Sequence, residues 1–451
     1  MPASVPGRVT RDDLYLKARV LADGVNVIGE EAPSFRELAN QGCAASDRQW
    51  DPRTVDDLLG QYADITSGAG NTLDREFLLL DDIGMTISYS HNPHSRLDLI
   101  REGERAMLKE GEAVVAECRI VAPEEPDWHR EELSGGVPMK IALPFASESV
   151  INVVFSLSCY NFNTPGKACQ YCNLFSNPIS RRTNNLPIET LRAWVALQAE
   201  AIKIATDNGW RGALAISGGA LPPKQRPQHL ERLEVLMEAI RERVDPGVLS
   251  EIPCVYNHFP PEDFRDMERW REMGIGFTCI DLEVMDAAFF AAICPGKNEY
   301  KPLSYWKEAQ EVAVEVFGPM KTRTNVVFGL EPMHTLLAGA EERLTKGILP
   351  RLITFVSRPE SNYWGHRLPN ADWILEASER MADLYLEYVP RLVQTAQEGG
   401  SEPSTPGRRA GDAFLSRLTG APSGDFDEEA GSSLIPDFMN LKGFVTKPGS
   451  G

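Results

Sequence analysis

Three of the chain's eight cysteines, Cys159, Cys169 and Cys172, fall in one short segment, SCYNFNTPGKACQYCNLF, at residues 158–175. Thiolates are soft ligands that suit zinc and iron–sulfur clusters. A closed structural zinc site takes four ligands, but the next Cys or His after Cys172 is His229 and the nearest histidine upstream is His129. Three close thiolates without an evident fourth ligand therefore predict a metal site with one open coordination position.

The cysteine segment lies in a regular alternation of strands and helices. Between about residues 150 and 360 we predict six β/α units, with strands in SVINVVFSLS, GALAISGG, IPCVYNH, GFTCIDLEV, TRTNVVFGLEP and RLITFVSRP. Such alternation is typical of a parallel sheet with helical crossovers, and six units are too few for a closed eight-fold barrel. The predicted fold class is α/β, an open, partial (β/α)6 TIM-like barrel. Chemistry in such folds sits at the carboxyl ends of the strands, where Cys159 lies.

The remaining chain divides by composition into three further regions. Residues 1–147 are predicted as a small α/β or β-containing N-terminal region, with short strands in FLLLDDIGMTISY, EAVVAECRIVA and MKIALPF. The barrel core covers 148–360, a helical extension 361–397, and a flexible tail 398–451. The tail is rich in Pro, Gly, Ser and acidic residues. Within it, SSLIPDFMNLKGF carries enough apolar residues to dock onto the body.

Charge and cysteine usage limit the partners and the compartment. The 451 residues carry a formal net charge of −19, from 46 basic and 65 acidic residues, and no basic run stands out. Nucleic-acid and anionic-membrane partners are therefore not expected. No signal peptide or membrane-spanning apolar run is visible, and eight cysteines are too sparse for a disulfide scaffold. A cytoplasmic protein is expected.

The second half of the cysteine pattern, Cys169-Gln170-Tyr171-Cys172, resembles the signature of the radical S-adenosylmethionine (SAM) superfamily. That signature is Cys-x3-Cys-x-aromatic-Cys, on the loop after the first strand of a six-unit partial barrel. Here nine residues, not three, separate Cys159 from Cys169. The resemblance implies a 4Fe–4S cluster on the three cysteines whose open iron binds SAM. Reductive cleavage of SAM would give a 5′-deoxyadenosyl radical that removes hydrogen from a small-molecule substrate, as a step of specialised metabolism would require. An external one-electron donor such as flavodoxin or ferredoxin is then expected.

The same resemblance implies SAM-binding roles at the ends of other strands. Strand two ends in a Gly-Gly turn like the one that receives the SAM amino group, with Ala220 where the family has Glu. Strand four ends in IDLEV, whose two carboxylates, two residues apart and so on one face, are candidates for the ribose. Strands five and six resemble the segments beside the adenine and behind SAM. The cofactor-binding candidates are Tyr171, Ser217, Gly218, Gly219, Ala220, Asp281, Glu283, Gly329, Glu331 and Arg358.

Some residues at the predicted barrel mouth carry chemistry that the resemblance does not assign. Tyr256, Asn257 and His258 end strand three and are candidates for substrate contact or a proton relay. Cys294, in ICPGKNEY, is a candidate radical-quenching thiol, and SNYWGH at 361–366 a candidate lining of the substrate site. Two other classes stay open on the residues alone. One is a non-catalytic iron–sulfur protein that transfers electrons or senses oxygen, and the other is a structural-zinc α/β protein.

Overall fold

The computed structural model describes residues 9–28, 77–89, 92, 94–121, 126–143, 145–146, 150–174, 184–355, 361–398 and 433–442. Its strands divide into two large sheets and one small hairpin. In chain order they are β1 Asn26–Ile28, β2 Phe77–Leu80, β3 Met85–Ser88, β4 Leu97–Glu102, β5 Arg105–Glu110, β6 Ala113–Val121, β7 Glu132–Leu133, β8 Val137–Pro138, β9 Phe145–Ala146, β10 Val150–Ser156, β11 Ala213–Gly218, β12 Cys254–Asn257, β13 Phe277–Cys279, β14 Thr322–Phe328 and β15 Ile348–Thr354.

The described α-helices lie at the N-terminus, between the strands of the second large sheet, and after it. They are α1 Arg11–Asp23, α2 Met139–Ala142, α3 Tyr160–Asn163, α4 Ile188–Asp207, α5 His229–Arg243, α6 Pro246–Glu251, α7 Asp266–Glu272, α8 Ala287–Ile293, α9 Pro295–Tyr300, α10 Leu303–Phe317, α11 Met333–Thr345, α12 Ala371–Glu398 and α13 Ile435–Leu441. Among the described residues, no helix is both long and apolar enough to cross a membrane.

The second large sheet contains the predicted barrel strands. Its order is β15-β14-β13-β12-β11-β10-β9, and each neighbouring pair from β10 to β15 is parallel. The short strand β9 adds to the free edge of β10 in the antiparallel sense. Helices follow the strands as crossovers. Within the described part of the chain, β15 at one end of the sheet does not pair with β10 or β9 at the other, so the barrel is open. The prediction of a partial (β/α)6 barrel is confirmed.

The apolar periodicity places the crossover helices as expected. On α4, the residues predicted to share one face are all buried, namely Leu191, Trp194, Val195, Ile202 and Ala205. Burying such a stripe against the sheet removes apolar surface from water, which is the main driving force for docking a crossover helix.

The N-terminal sheet has the order β1-β4-β5-β6-β2-β3 and is antiparallel except for the β1–β4 pair. FLLLDDIGMTISY, predicted as one strand, folds as the β2–β3 hairpin, in which Gly84 turns the chain at φ 68°. MKIALPF, also predicted as a strand, is a strand only at its last residue, Phe145, where β9 begins. Met139–Ala142 forms the helical turn α2, with Met139, Ile141 and Ala142 all buried. Successive side chains of a strand point to opposite faces of the sheet. Buried side chains at adjacent positions, as at Ile141 and Ala142, do not fit that alternation.

Helices α1, α12 and α13 pack together on the outside of the molecule. The tail segment predicted to dock does so through four side chains that are 0–6% exposed, Leu434, Ile435, Phe438 and Met439. Lys17 of α1, itself buried, donates to the Asp437 carboxylate of α13 at 2.7 Å. The domain boundaries at 147, 360 and 397 remain predictions.

Candidate active site

Cys159 follows β10 directly and lies at the start of the short helix α3. Burial raises the pKa of its thiol, and the backbone N–H groups of Phe162, Ala220 and Asn161 oppose that rise by hydrogen bonding to the sulfur. Three convergent amide dipoles stabilise a thiolate better than a thiol. The pKa of Cys159 is raised overall, and the three amides reduce the free-energy cost of the thiolate form in which cysteine binds metal.

Cys169 and Cys172 stand on the loop that follows α3, and all three cysteines are half-buried. A tight turn fixes the second pair, since the Cys172 amide donates to the Cys169 carbonyl at 3.1 Å. Burial raises the pKa of Cys172, the negative charge of Cys169 raises it further, and the Leu174 amide lowers it. Charge on Cys159 acts on Cys172 as well, so the three sulfurs share one electrostatic neighbourhood.

The Gly-Gly turn at the end of β11 packs directly against Cys159. A Cβ added to Gly219 would lie 2.5 Å from both Cα and Cβ of Cys159, and one added to Gly218 would lie 2.4 Å from Cβ of Ser156. Ala220, which replaces the family's Glu, accepts a hydrogen bond from the Tyr160 amide at 2.8 Å. We expected these glycines to admit a ligand. In the structure these glycines instead allow the cysteine loop to pack closely against the turn.

Asp281 and Glu283 do not share a strand face, so that part of the prediction was wrong. Strand β13 ends at Cys279, and Glu283 has φ 67°, a left-handed conformation that a non-glycine residue rarely adopts. The Asp281 carboxylate accepts from the Asn325 amide at 2.8 Å. Glu283 is held by backbone pairing with β14, through Asn325 and Val327. The two carboxylates are thus placed by different contacts.

Glu283 forms a buried ion pair that reaches the cysteine loop. Its carboxylate contacts the Lys297 ammonium, with side-chain exposures of 11% and 8%. Lys297 also donates to the Asp281 carbonyl at 2.9 Å and lies 4.8 Å from the ring centre of Trp306. Burial lowers the pKa of Lys297, but the negative charges of Glu283, Cys169, Asp281 and Cys294 together outweigh burial, so the pKa is raised overall. Because Glu283 also hydrogen-bonds the Tyr171 side chain, the pair connects α9 to the aromatic between Cys169 and Cys172.

The cysteine loop packs against the junction of α8 and α9. The Gln170 amide donates to Ile293 at 2.9 Å, and the Gly296 amide donates to Lys167 at 3.1 Å. A Cβ on Gly296 would lie 2.4 Å from the Lys167 carbonyl oxygen. From the other side, the Tyr363 amide of the SNYWGH segment donates to the Gln170 carbonyl at 2.8 Å. The long spacer between Cys159 and Cys169 is therefore fixed by packing on both sides.

The remaining cofactor-binding candidates, after β14 and on β11, are held by contacts within the protein. Gly329 has φ 102°, and the Pro369 ring lies 2.6 Å from the position its Cβ would take. Glu331 accepts from the amides of Met285 at 2.6 Å and Asp286 at 3.1 Å, which fixes the turn before α8. Ser217 is half-buried at the end of β11, paired in register with Asn257 of β12. Arg358 lies outside the described residues. The SAM-binding roles of these residues remain predictions.

Tyr256 and His258 form a buried cluster with His229 of α5, a residue that the sequence reasoning missed. The Tyr256 hydroxyl lies 2.5 Å from Nε2 of His229, and Nδ1 of His258 lies 2.9 Å from the same nitrogen. The Trp270 ring is 4.8 Å from that of Tyr256. His258 also lies against the Gly219 backbone. The cluster therefore packs against the Gly-Gly turn. A relay or substrate role for Tyr256, Asn257 and His258 remains a prediction.

The histidine cluster gives stability a defined pH dependence. Burial lowers the pKa of His258 from 6.5 to about 4, and burial likewise lowers that of His229. Because the folded state binds these protons less tightly, their contribution to stability is complete above pH 6.5 and is lost as the pH falls toward 4. We expect His258 alone to account for about 2 kcal/mol of that loss by pH 5 and about 3 kcal/mol once the pH is below 4. Urea unfolding at pH 7.5, 6 and 5 measures it.

The exposed His94 provides a control for this prediction. His94→Gln should retain the full loss of stability between pH 7.5 and 5, whereas His258→Asn should reduce it. A free energy of unfolding that stays constant over this range in the wild-type protein would show that neither buried histidine resists protonation.

The donor set fits an iron–sulfur cluster. Among the described residues, no group of three His, Cys, Asp or Glu side chains lies close enough together to hold a single metal ion. A 4Fe–4S cluster distributes its cysteine ligands over different iron atoms, so its ligands need not converge on one point. Three half-buried cysteines on one loop system, two of them with backbone amides directed at the sulfur, match that requirement.

An open parallel barrel that carries three such cysteines after its first strand defines an iron–sulfur enzyme of the radical SAM class. The chain is 35% identical over 393 residues to bacteriochlorophyllide c C-7(1)-hydroxylase of Chlorobaculum limnaeum, a radical SAM enzyme, and the match covers 85% of this chain and 87% of the relative. The chain belongs to the radical SAM superfamily. Its cofactors are a 4Fe–4S cluster and SAM. The non-catalytic iron–sulfur and structural-zinc alternatives are not favoured, since the relative is an enzyme.

Two other comparisons are less informative. No family model matches the chain. The crystal structure of methylornithine synthase has 15% identity and a TM-score of 0.38, and the match covers 53% of this chain and 62% of that chain, less than two thirds of its length. That likeness is too distant to support a conclusion, so the fold rests on the strand order and register given above.

Proposed function

We propose that this radical SAM enzyme hydroxylates an unactivated carbon at the periphery of a chlorophyllide-type tetrapyrrole. The observation that carries the proposal is the extent of the match to bacteriochlorophyllide c C-7(1)-hydroxylase, which takes in 85% of this chain and 87% of the relative. A match confined to the barrel would indicate only shared SAM chemistry. A match of this length necessarily extends beyond the barrel core, into regions that would contribute to substrate choice.

Exposed apolar side chains beside the cysteine loop support a large, flat, apolar substrate. Leu174, two residues after Cys172, is 75% exposed, and Trp364 is 63% exposed. The hydrogen bond from Tyr363 to Gln170 holds the Trp364 segment against the same loop. Aromatic side chains bind planar rings through offset or edge contacts and by removing apolar surface from water. A tetrapyrrole macrocycle suits such a surface better than a small polar metabolite does.

The bound cluster and SAM supply an electron and an oxidising carbon radical, and the residues of the chain control where these act. Cys159, Cys169 and Cys172 would hold the cluster. The Gly218–Gly219 turn and the Glu283–Lys297 pair keep the loop rigid from two sides. Packing of the loop against α8, α9 and the Tyr363 segment partly shields the sulfurs from water. Flavodoxin or ferredoxin is the proposed electron donor.

The test is turnover of protein reconstituted without oxygen. With SAM, dithionite and bacteriochlorophyllide c, we expect 5′-deoxyadenosine and a chlorophyllide product heavier by one oxygen atom in mass spectrometry. Because dioxygen is absent, that atom would come from water, added after the substrate radical has lost one electron to the cluster. Cys172→Ala should form neither product. SAM cleavage that stays at its substrate-free rate with every chlorophyllide tried would overturn the proposed substrate, although the family assignment would stand.

Trp364→Ala tests the docking surface separately. Because it removes an exposed stacking partner at the proposed substrate site, we expect KM for the tetrapyrrole to rise roughly tenfold, the equivalent of about 1.4 kcal/mol. The substrate-free rate of SAM cleavage should stay unchanged. Tyr15→Ala removes an aromatic that is 39% exposed on the distant helix α1 and is the matched control. An equal change in KM for both variants would contradict a substrate contact at Trp364.

A further inference from the structure

Cys294 is a fourth thiol at the cysteine loop, although it comes from a distant part of the chain. It is 0% exposed and lies between α8 and α9. Its side chain is a neighbour of that of Cys169, since each thiol affects the pKa of the other and the residues on either side of the two cysteines are hydrogen-bonded to each other. The other described cysteines outside the loop have different surroundings, since Cys118 contacts the Ala106 carbonyl and Cys279 the Asp281 carboxylate. Cys294 is therefore placed toward the cluster in a way that these thiols are not.

Backbone contacts on both sides fix this placement. Ile293 accepts from the Gln170 amide, next to Cys169, and the Gly296 amide donates to Lys167. The residues that form these two hydrogen bonds flank Cys294 on one segment and Cys169 on the other. The close fit at Gly296 leaves no room for a side chain, so the α8–α9 junction cannot slide along the loop. The neighbouring positions of Cys294 and Cys169 are thus set by backbone contacts between the two segments.

The chemistry of a loaded site determines which sulfur donates. Cysteine binds iron as a thiolate, so Cys169 has no proton once the cluster is in place. The only proton between the two sulfurs then belongs to Cys294. Its backbone amide is already used, since it donates to the Phe290 carbonyl at 2.8 Å. The Cys294 S–H group is left to hydrogen-bond the ligand sulfur.

We propose that Cys294 is a positioning residue that donates an S–H hydrogen bond to the cluster ligand Cys169 and thereby raises the reduction potential of the cluster. A hydrogen bond to a ligand sulfur stabilises the negative charge that the cluster gains when it takes up an electron. A less negative potential makes reduction by a protein donor easier. This role depends on the cluster and not on the identity of the substrate, so it can be tested independently of the tetrapyrrole proposal.

The test is a redox titration of the reconstituted protein followed by electron paramagnetic resonance. In Cys294→Ala, which cannot donate, we expect full iron content and a midpoint potential more negative than that of the wild-type protein. Cys294→Ser retains a donor and should restore most of the difference. Cys254→Ala removes a buried thiol inside β12, away from the loop, and should leave the potential unchanged.

Two results would overturn the proposal. One is a midpoint potential in Cys294→Ala that equals that of the wild-type protein, which would show that the contact does not affect the cluster. The other is loss of iron from both Cys294 variants to the extent seen in Cys169→Ala, which would make Cys294 a ligand instead of a hydrogen-bond donor. Iron and sulfide analysis of the same samples distinguishes these results from the expected one without any activity measurement.

Discussion

Gly219→Ala is expected to lose the cluster before SAM is ever added. The new Cβ would lie 2.5 Å from both Cα and Cβ of Cys159 and 2.6 Å from the Ser158 carbonyl oxygen. Backbone cannot yield as a flexible side chain can, so Cys159 must shift away from the Ala220 amide. We expect the free energy of unfolding to fall by about 1–3 kcal/mol, as for other overpacked sites, and retained iron to fall well below half of the wild-type value.

Iron analysis and urea unfolding of the apo-protein measure both effects. Gly276→Ala is the control, because its Cβ would meet only the Cys254 carbonyl oxygen, at an ordinary 3.9 Å. The result also distinguishes two roles for the Gly-Gly turn. If Gly219→Ala kept its iron and its stability but bound SAM weakly, the glycine would serve the ligand and not the cysteine loop.

The second large effect is expected at Lys297. Lys297→Met leaves the Glu283 carboxylate buried without the cation it faces, at 11% side-chain exposure and on a residue with φ 67°. Removing one partner of a buried pair typically destabilises a protein by about 3–5 kcal/mol, because the remaining charge stays desolvated. The double variant Lys297→Met/Glu283→Gln removes that charge and should recover a substantial part of the loss.

Denaturant unfolding of the two variants and the wild-type protein tests this expectation. Lys203→Met is the matched control, since Lys203 pairs with Asp207 on the surface of α4 at exposures of 46% and 61%. Such exposed pairs contribute about 0–1 kcal/mol. A loss for Lys297→Met no larger than that for Lys203→Met would mean that water reaches Glu283 and screens its charge.

The parts of the fold that follow from local pattern could be predicted from the sequence. Strand runs such as SVINVVFSLS and the apolar stripe of α4 depend on residues a few positions apart, so both were found. The position of Cys159 followed from the same pattern, because a residue at the end of a parallel strand lies at the carboxyl edge of the sheet. The open barrel and the placement of the three cysteines were predictable for these reasons.

The contacts that support the cysteines could not be predicted in the same way. Cys294, Gly296 and Lys297 meet the loop only through tertiary packing, and no periodicity connects them to Cys169. The left-handed turn at Glu283 broke the strand alternation on which its placement had been argued. His229 lies on a helix, and only the structure brings it to Tyr256. The Pro-Gly after Cys294 was the one visible signal, since it indicated a break in the chain near the barrel mouth; in the structure it begins α9.

The pairing of Lys17 with Asp437 has a consequence for biosynthesis. The two residues are separated by 420 positions, so the ribosome makes Lys17 long before its carboxylate partner exists. The Lys17–Asp437 contact and the burial of Phe438 and Met439 can form only after almost the whole polypeptide has been made. A translation product that stops within the barrel lacks both α12 and α13 and therefore leaves the apolar surface of α1 uncovered, where chaperones and proteases can recognise it as incomplete.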